Sequence, residues 1–193
     1  MTWLVAGLGN TGDRYAKTRH NLGYRVVDEL ARRAGERFRK VRFVPADACE
    51  LIEAGERVLL ARSHAFMNET GPAFGSLGRK RGISPDHAIA VHDDIDLAFG
   101  ALRVKFGGST AGHNGLRSVA GALRTNDFYR VRLGVGRPTG SKDPVDWVLE
   151  GFAKREEADV EILVDDAADA VLSLVRDGLE ATQDRFNRGG SRG

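Results

Sequence analysis

Trp3-Leu4-Val5-Ala6-Gly7-Leu8-Gly9-Asn10-Thr11-Gly12 is the stretch that decides the fold class. Its apolar opening lacks polar alternation and reads as a strand buried on both faces, and the glycines read as a tight turn. Tyr15-Ala16-Lys17-Thr18-Arg19-His20-Asn21 follows the turn. A strand that opens into a turn and then presents a histidine places an imidazole at the end of a sheet. Histidine accepts and returns a proton near neutral pH without a large pKa shift.

Outward from there, residues 22–34 carry apolar positions at helical spacing, and Gly35 is a C-terminal stop. Residues 49–53 and 57–61 flank Gly55 and read as a hairpin. Residues 68–81 read as a helix with Pro72 in its first turn, where a missing N–H does no harm. Ile89-Ala90-Val91 is a short buried strand ending at His92-Asp93-Asp94. Residues 101–106 and 130–136 alternate as strands, residues 113–124 have helical spacing, and a long helix covers about 156–176. The order β, α, β, β, α, β, β, α, β, α predicts an α/β fold: a single-domain sandwich with a twisted mixed β-sheet flanked by helices.

A chain of 193 residues with 41% hydrophobic content fits one domain with a sizeable core. The single Cys49 cannot form an internal disulfide, which points to a reducing compartment. The N-terminus has no basic region and too short an apolar run for a signal peptide, and no stretch approaches membrane-spanning length. The expected location is the cytoplasm. The net charge of +2 is unevenly spread: residues 101–142 hold 8 Lys/Arg against 1 Asp/Glu, and residues 143–180 hold 3 against 12. The acidic part reads as a solvated helix face, and the basic block, interleaved with Gly and Asn, as an anion-binding surface.

Gly7-x-Gly9-x-x-Gly12 matches the letters of a dinucleotide-binding fingerprint. That fingerprint needs a helix beginning at its third glycine and an acidic residue ending a second strand. Residues 13–20 have no amphipathic period, and Asp28 and Glu29 fall inside a helical pattern. No cofactor is expected, and the turn is read instead as aiming Asn10 into a cleft. Asn10, His20, Asn68, Asp93 and Asn114 all fall at element ends or loops. Ligands gather at the carboxyl ends of strands in such sheets. Neutral amides position a carbonyl and a water without competing for the proton, and a carboxylate holds an imidazole in one tautomer. His92-Asp93-Asp94-Ile95-Asp96 supplies metal-ligand types, but its spacing fits no metal motif, and no metal is expected. The loop from Gly107 to Gly115 allows close backbone approach to a substrate, and Lys105 and Arg132 beside it are phosphate-binding candidates. There is no serine nucleophile elbow, so a histidine activating water fits better than a covalent mechanism.

In order and spacing, these segments closely resemble the bacterial-type peptidyl-tRNA hydrolase family. The resemblance runs over nearly the whole chain. It rests on Gly7-Leu8-Gly9-Asn10, Tyr15 to Gly23, Phe66-Met67-Asn68, His92 to Asp96, Gly112 to Arg117 and Arg130 to Gly134. It implies cleavage of the ester joining a peptide to tRNA, with peptidyl-tRNA as the partner and no obligate protein partner, the enzyme acting as a monomer. It implies His20 as general base, Asp93 as the residue stabilising its active form, and Asn10 as the reader of a blocked α-nitrogen. Tyr15, Phe66, Asn68 and Asn114 become substrate contacts, Met67 lines the peptide side, and Lys105 and Arg132 grip the tRNA 5′ phosphate. It also implies a mobile lid around 138–157. Thr11 stands where the family usually has proline. Two rival classes fit parts of the same pattern: an RNA-binding module using only the basic block, and a metal-dependent phosphohydrolase built on Asp93, Asp94 and Asp96.

Overall fold

The computed structural model describes residues 1–187, so the last six residues of the expected 1–193 domain lie outside the described residues. One sheet of seven strands runs through it: β1 (Thr2–Gly7), β2 (Arg39–Lys40), β3 (Ala46–Glu53), β4 (Glu56–Ser63), β5 (Ala88–Asp94), β6 (Leu102–Phe106) and β7 (Tyr129–Gly134), in the order β2-β3-β4-β1-β5-β7-β6. The four central strands β4, β1, β5 and β7 are parallel, and β2, β3 and β6 join antiparallel at the flanks. Five helices complete the fold: α1 (Leu22–Ala34), α2 (Gly71–Arg81), α3 (Asn114–Leu123), α4 (Pro144–Val148) and α5 (Glu157–Phe186).

The opening strand is apolar without alternation because both its faces are covered. Trp3 and Val5 enter a core layer with Val26, Leu30, Val160 and Val171 of α1 and α5. Leu4 and Ala6 enter the opposite layer with Phe74, Leu77, Leu116 and Val119 of α2 and α3. Parallel central strands place the carboxyl ends of β1, β4, β5 and β7 along one edge of the sandwich, which brings Asp93 and Gly134 at the ends of β5 and β7 beside the segments after β1 and β4 that carry Asn10 and Met67.

Three departures from the sequence reading have simple causes. β2 is two exposed cationic residues and carries no apolar signal. Residues 67–69 form a separate 3-10 turn before α2 begins at Gly71, with Pro72 in its first turn as expected. The last helix does not stop near Arg176. It kinks at Gly178, whose φ of 80° is available to glycine, and continues to Phe186. Ser173 and Thr182 hydroxyls bond across the kink at 2.9 Å. Beyond it, Asn187 accepts from Val104 N at 2.7 Å, and Gln183 and Asn187 donate to Val104 O, covering the outer edge of β6.

Gly23 sets the approach of α1 to the sheet. A Cβ there would lie 2.2 Å from Val91 O and 2.4 Å from Leu8 N, both backbone atoms held by the Leu8 N to Val91 O bond of 3.0 Å. Gly23→Ala is therefore expected to cost about 1–3 kcal/mol or more, since the contact is with backbone and has no rotamer to relieve it. The urea unfolding midpoint measures this, and an unchanged midpoint would show that α1 can lift from the sheet freely.

Candidate active site

The segment before α1 is a single 3-10 turn, Arg19–Asn21, and its three side chains diverge to three places. Asn21 closes on the glycine turn: its Oδ1 accepts from Asn10 N at 2.8 Å and its Nδ2 donates to Asn10 O at 2.9 Å. Asn10 Oδ1 accepts from Met67 N at 2.7 Å. Asn10 is thus fixed from both sides with Thr11 in the proline position. The next helix after Gly12 begins only at Leu22, preceded by 3-10 turns, which removes the geometry that a dinucleotide fingerprint requires.

His20 turns toward the end of β5. Its Nδ1 lies 2.9 and 3.0 Å from the two oxygens of Asp93. His113 Nε2 lies 3.1 Å from Asp93 Oδ1. His113 also caps α3, its Nδ1 accepting from Gly115 N at 3.1 Å and Leu116 N at 3.3 Å. That cap leaves Nδ1 unprotonated, so Nε2 carries the proton and donates to Asp93. On the other side, a carboxylate facing His20 Nδ1 keeps the proton on Nδ1 and the lone pair on Nε2, which has no partner among the described residues. Asp93 therefore accepts from two imidazoles and leaves one basic nitrogen on a histidine that lines the cleft.

The electrostatics follow from burial and pairing. Burial pushes the His20 pKa down, but the Asp93 charge and hydrogen bond outweigh it and the value lies above the ordinary one. Burial would raise Asp93, yet the charges of His20 and His113 and their hydrogen bonds hold it well below the usual carboxylate range. His92 is pushed well below its ordinary value, first by burial and then by the charge of His113. It is a core histidine that donates from Nδ1 to Asp93 O at 2.7 Å and packs edge-on against His113.

The carboxylates after β5 do not converge. Asp94 accepts from Arg132 at 2.8 and 2.9 Å, and Asp96 accepts from Arg137 at 3.0 Å. The trio proposed for a metal phosphohydrolase is thus divided, Asp93 to the two histidines, Asp94 to Arg132 and Asp96 to Arg137. His20, Asp93 and His113 do offer ligand atoms within 4.8 Å of one another. In the arrangement described, both nitrogens facing Asp93 carry protons and hydrogen-bond to it.

These groups line a cavity of about 710 Å³. Asn10, Met67, Asn68 and Asn114 line it with the histidine pair, as do Lys105 and Arg132. Tyr15 and Phe66 do not: they meet each other edge-on, centroids 6.1 Å apart, as a half-exposed aromatic pair. β6 and β7 are antiparallel neighbours, so Lys105 and Arg132 stand on adjacent strands. Arg130, directly opposite Lys105 in register, is fully buried and donates to the carbonyls of Gly108 and Ser109, shaping the glycine loop. Burial, then the charges of Arg132 and Arg130, lower the Lys105 pKa, as expected where cations crowd together without enough counter-charge. The segment expected as a lid holds α4, and Pro144, Val145, Val148 and Leu149 form one apolar wall of the cavity.

Sequence reading missed His113 and Asn21. Both stand inside segments singled out for other residues. His113 is a helix cap made by a residue type rarely used for one, so cap preference gives no signal.

Comparisons with known proteins agree with this geometry. The sequence model described as peptidyl-tRNA hydrolase matches residues 4–192. A protein named peptidyl-tRNA hydrolase from Arthrobacter sp. (strain FB24) is 48% identical over 188 residues, covering 96% of both chains. One of the same name from Cutibacterium acnes is 50% identical over 196 residues, covering 96% of this chain and 98% of its own. The crystal structure of peptidyl-tRNA hydrolase from Acinetobacter baumannii superposes with a TM-score of 0.90 at 29% identity, covering 96% of this chain and 94% of the other. A match over nearly the whole length, on the fold that gathers His20, Asp93, Asn10 and Asn114 into one cleft, means that the chain belongs to the peptidyl-tRNA hydrolase family.

Proposed function

We propose that the cleft hydrolyses the ester between peptide and tRNA in peptidyl-tRNA by attack of a water that His20 deprotonates. The observation that carries this reading is the His20–Asp93 pair, with Nδ1 on the carboxylate and Nε2 free toward the cavity. Nε2 takes the proton of the water as it attacks the ester carbonyl. The imidazolium that forms is stabilised by Asp93, whose second imidazole partner keeps it oriented. The same proton then passes to the departing ribose oxygen. Asn10, held at its backbone and its Oδ1, directs Nδ2 to the substrate, where it donates to the carbonyl of the acyl group that blocks the α-nitrogen. Asn68 and Asn114 hold the ester and the water. Met67 lines the peptide side, and the Tyr15–Phe66 pair stands further out along the substrate path. In this reading the enzyme works in the cytoplasm, where translation occurs, and as a monomer. No helix among the described residues is long and apolar enough to cross a membrane.

The test is hydrolysis of N-acetyl-aminoacyl-tRNA with and without EDTA. Turnover should survive chelation and fall sharply on unblocked aminoacyl-tRNA. Loss of activity with EDTA would instead favour a metal on His20, Asp93 and His113.

Lys105 and Arg132 make a second, independent arm. A charge-assisted phosphate contact is worth about 1.5–3 kcal/mol before screening, and here Arg132 must share its fork with Asp94. The double alanine variant should raise KM with a smaller change in kcat, because the grip holds a phosphate and does not touch the reacting ester. Removing the substrate's 5′ phosphate should mimic it, and the two losses should not add. Fully additive losses in kcat/KM would mean that these cations touch the tRNA elsewhere.

A further inference from the structure

We propose that Arg19 is a positioning residue, holding the 143–156 segment as the wall of the cleft against the turn that carries His20. Arg19 is 4% exposed, and a buried guanidinium is costly unless its donors and charge are met. All the partners of its guanidinium lie in that one segment. Its Nη1 donates to Gly151 O at 2.7 Å and Glu150 O at 3.3 Å, and its Nη2 reaches Glu156 at 3.4 Å. Its plane lies 3.5 Å from the centroid of Trp147 and 4.9 Å from that of Phe152. Its backbone N–H adds a bond to Glu150 O at 3.0 Å, and Thr18 bridges Gly151. Burial lowers the Arg19 pKa, and the nearby Glu156 and Glu150 charges oppose that.

The other ties of the segment run elsewhere. Trp147 Nε1 donates to Gly136 O at 2.9 Å, Phe152 packs on Phe99, and Lys142 pairs with Glu150. They fasten the wall to itself, to the residues just after β7 and to the connection between β5 and β6. Arg19 joins it to the catalytic turn, one peptide from His20. Val145, Val148 and Leu149, carried by the same segment, line the cavity together with His20. A planar fork that donates in its plane while stacking on an indole is a combination that lysine and neutral residues lack. The guanidinium thus fixes how far the apolar wall stands from the His20 imidazole, and with it the shape presented to the bound substrate.

The test uses Trp3→Phe as background, which leaves Trp147 as the sole tryptophan. In Arg19→Met, acrylamide quenching of Trp147 should rise about twofold or more, because one face of the indole loses its cover. KM should rise about fivefold or more while kcat falls less than about threefold, since the wall shapes binding and not the proton transfer. The acidic limb of the pH profile should stay in place, because the His20–Asp93 pair is untouched; a purely structural collapse would move it. Should Arg19→Met fail to fold, Arg19→Lys carries the same readings at smaller size. Unchanged quenching would overturn the proposal, and so would raised quenching with an unchanged KM. The kinetic arm rests on the cleft being the catalytic site, and the quenching arm does not. An inactive parent protein would therefore sink that reading and leave quenching to decide the role of Arg19.

Discussion

His20→Ala lowers turnover of N-acetyl-aminoacyl-tRNA by about 10²–10⁴, the usual scale for loss of a general base, with KM changed little. The size follows from the division of labour in the cleft. His20 presents the one basic nitrogen among the histidine–carboxylate cluster: His113 Nδ1 is occupied by two helix N–H groups, and His92 Nε2 is sealed in the core. No neighbour can take over the proton. The fold should survive. Asp93 keeps its bond to His113 at 3.1 Å, so the carboxylate is not left alone, and Asn21 and Arg19 still fix the turn on either side of position 20. Residual activity should come from the amides that position the ester. Near-normal turnover in a variant with an unchanged melting transition would remove His20 from the chemistry.

How much of this could be read from the sequence differs by physical cause. β1 was legible because a strand buried on both faces must be apolar throughout, and Trp3 to Ala6 are. The turn residues were legible because glycine and asparagine have few other reasons to alternate as they do in Gly7-Leu8-Gly9-Asn10. His20 and Asp93 could be paired only by placing both at strand exits, and the parallel pairing of β1 with β5 is what joins them across 73 residues. Arg130 gave no signal of its burial: it is fully enclosed, and its two Nη atoms donate to the carbonyls of the glycine loop, which alternation along the strand does not announce. Arg19 gave no local signal, since every group that justifies its burial lies more than 120 residues away. The lid at 138–157 was expected from the family resemblance, and the glycine and proline content that accompanies it marks a loop but says nothing of the helix Pro144–Val148 inside it, capped by Asp143.

Asp93→Asn should reduce kcat by about 10²-fold or more and shift the acidic limb of the pH profile to lower pH. The proposed mechanism needs His20 neutral, and in the parent protein its pKa lies above the ordinary 6.5 because Asp93 outweighs burial. Asparagine removes the opposing charge and leaves burial, so the imidazole titrates lower. The rate loss has a separate origin. Asp93 Oδ1 accepts from both imidazoles, while Oδ2 lies 3.0 Å from His20 Nδ1. If the asparagine oxygen stays with both donors, its NH2 stands where Oδ2 was and faces a proton-bearing nitrogen. Relief of that clash moves the His20 proton to Nε2, the position that must remain basic. Stability reports the same pair. The depressed Asp93 contributes stability that is present above its ordinary 3.8 and is lost as pH falls through its folded value. The raised His20 contributes stability that is present below 6.5 and is lost as pH rises through its folded value. Both act together only between those two ordinary values, so the margin of the parent over the variant should be widest there and shrink on either side. Urea midpoints taken from pH 3 to 9 alongside the rate profile measure both effects. An acidic limb that moves upward, or a stability margin flat across that range, would break the pairing on which the mechanism stands.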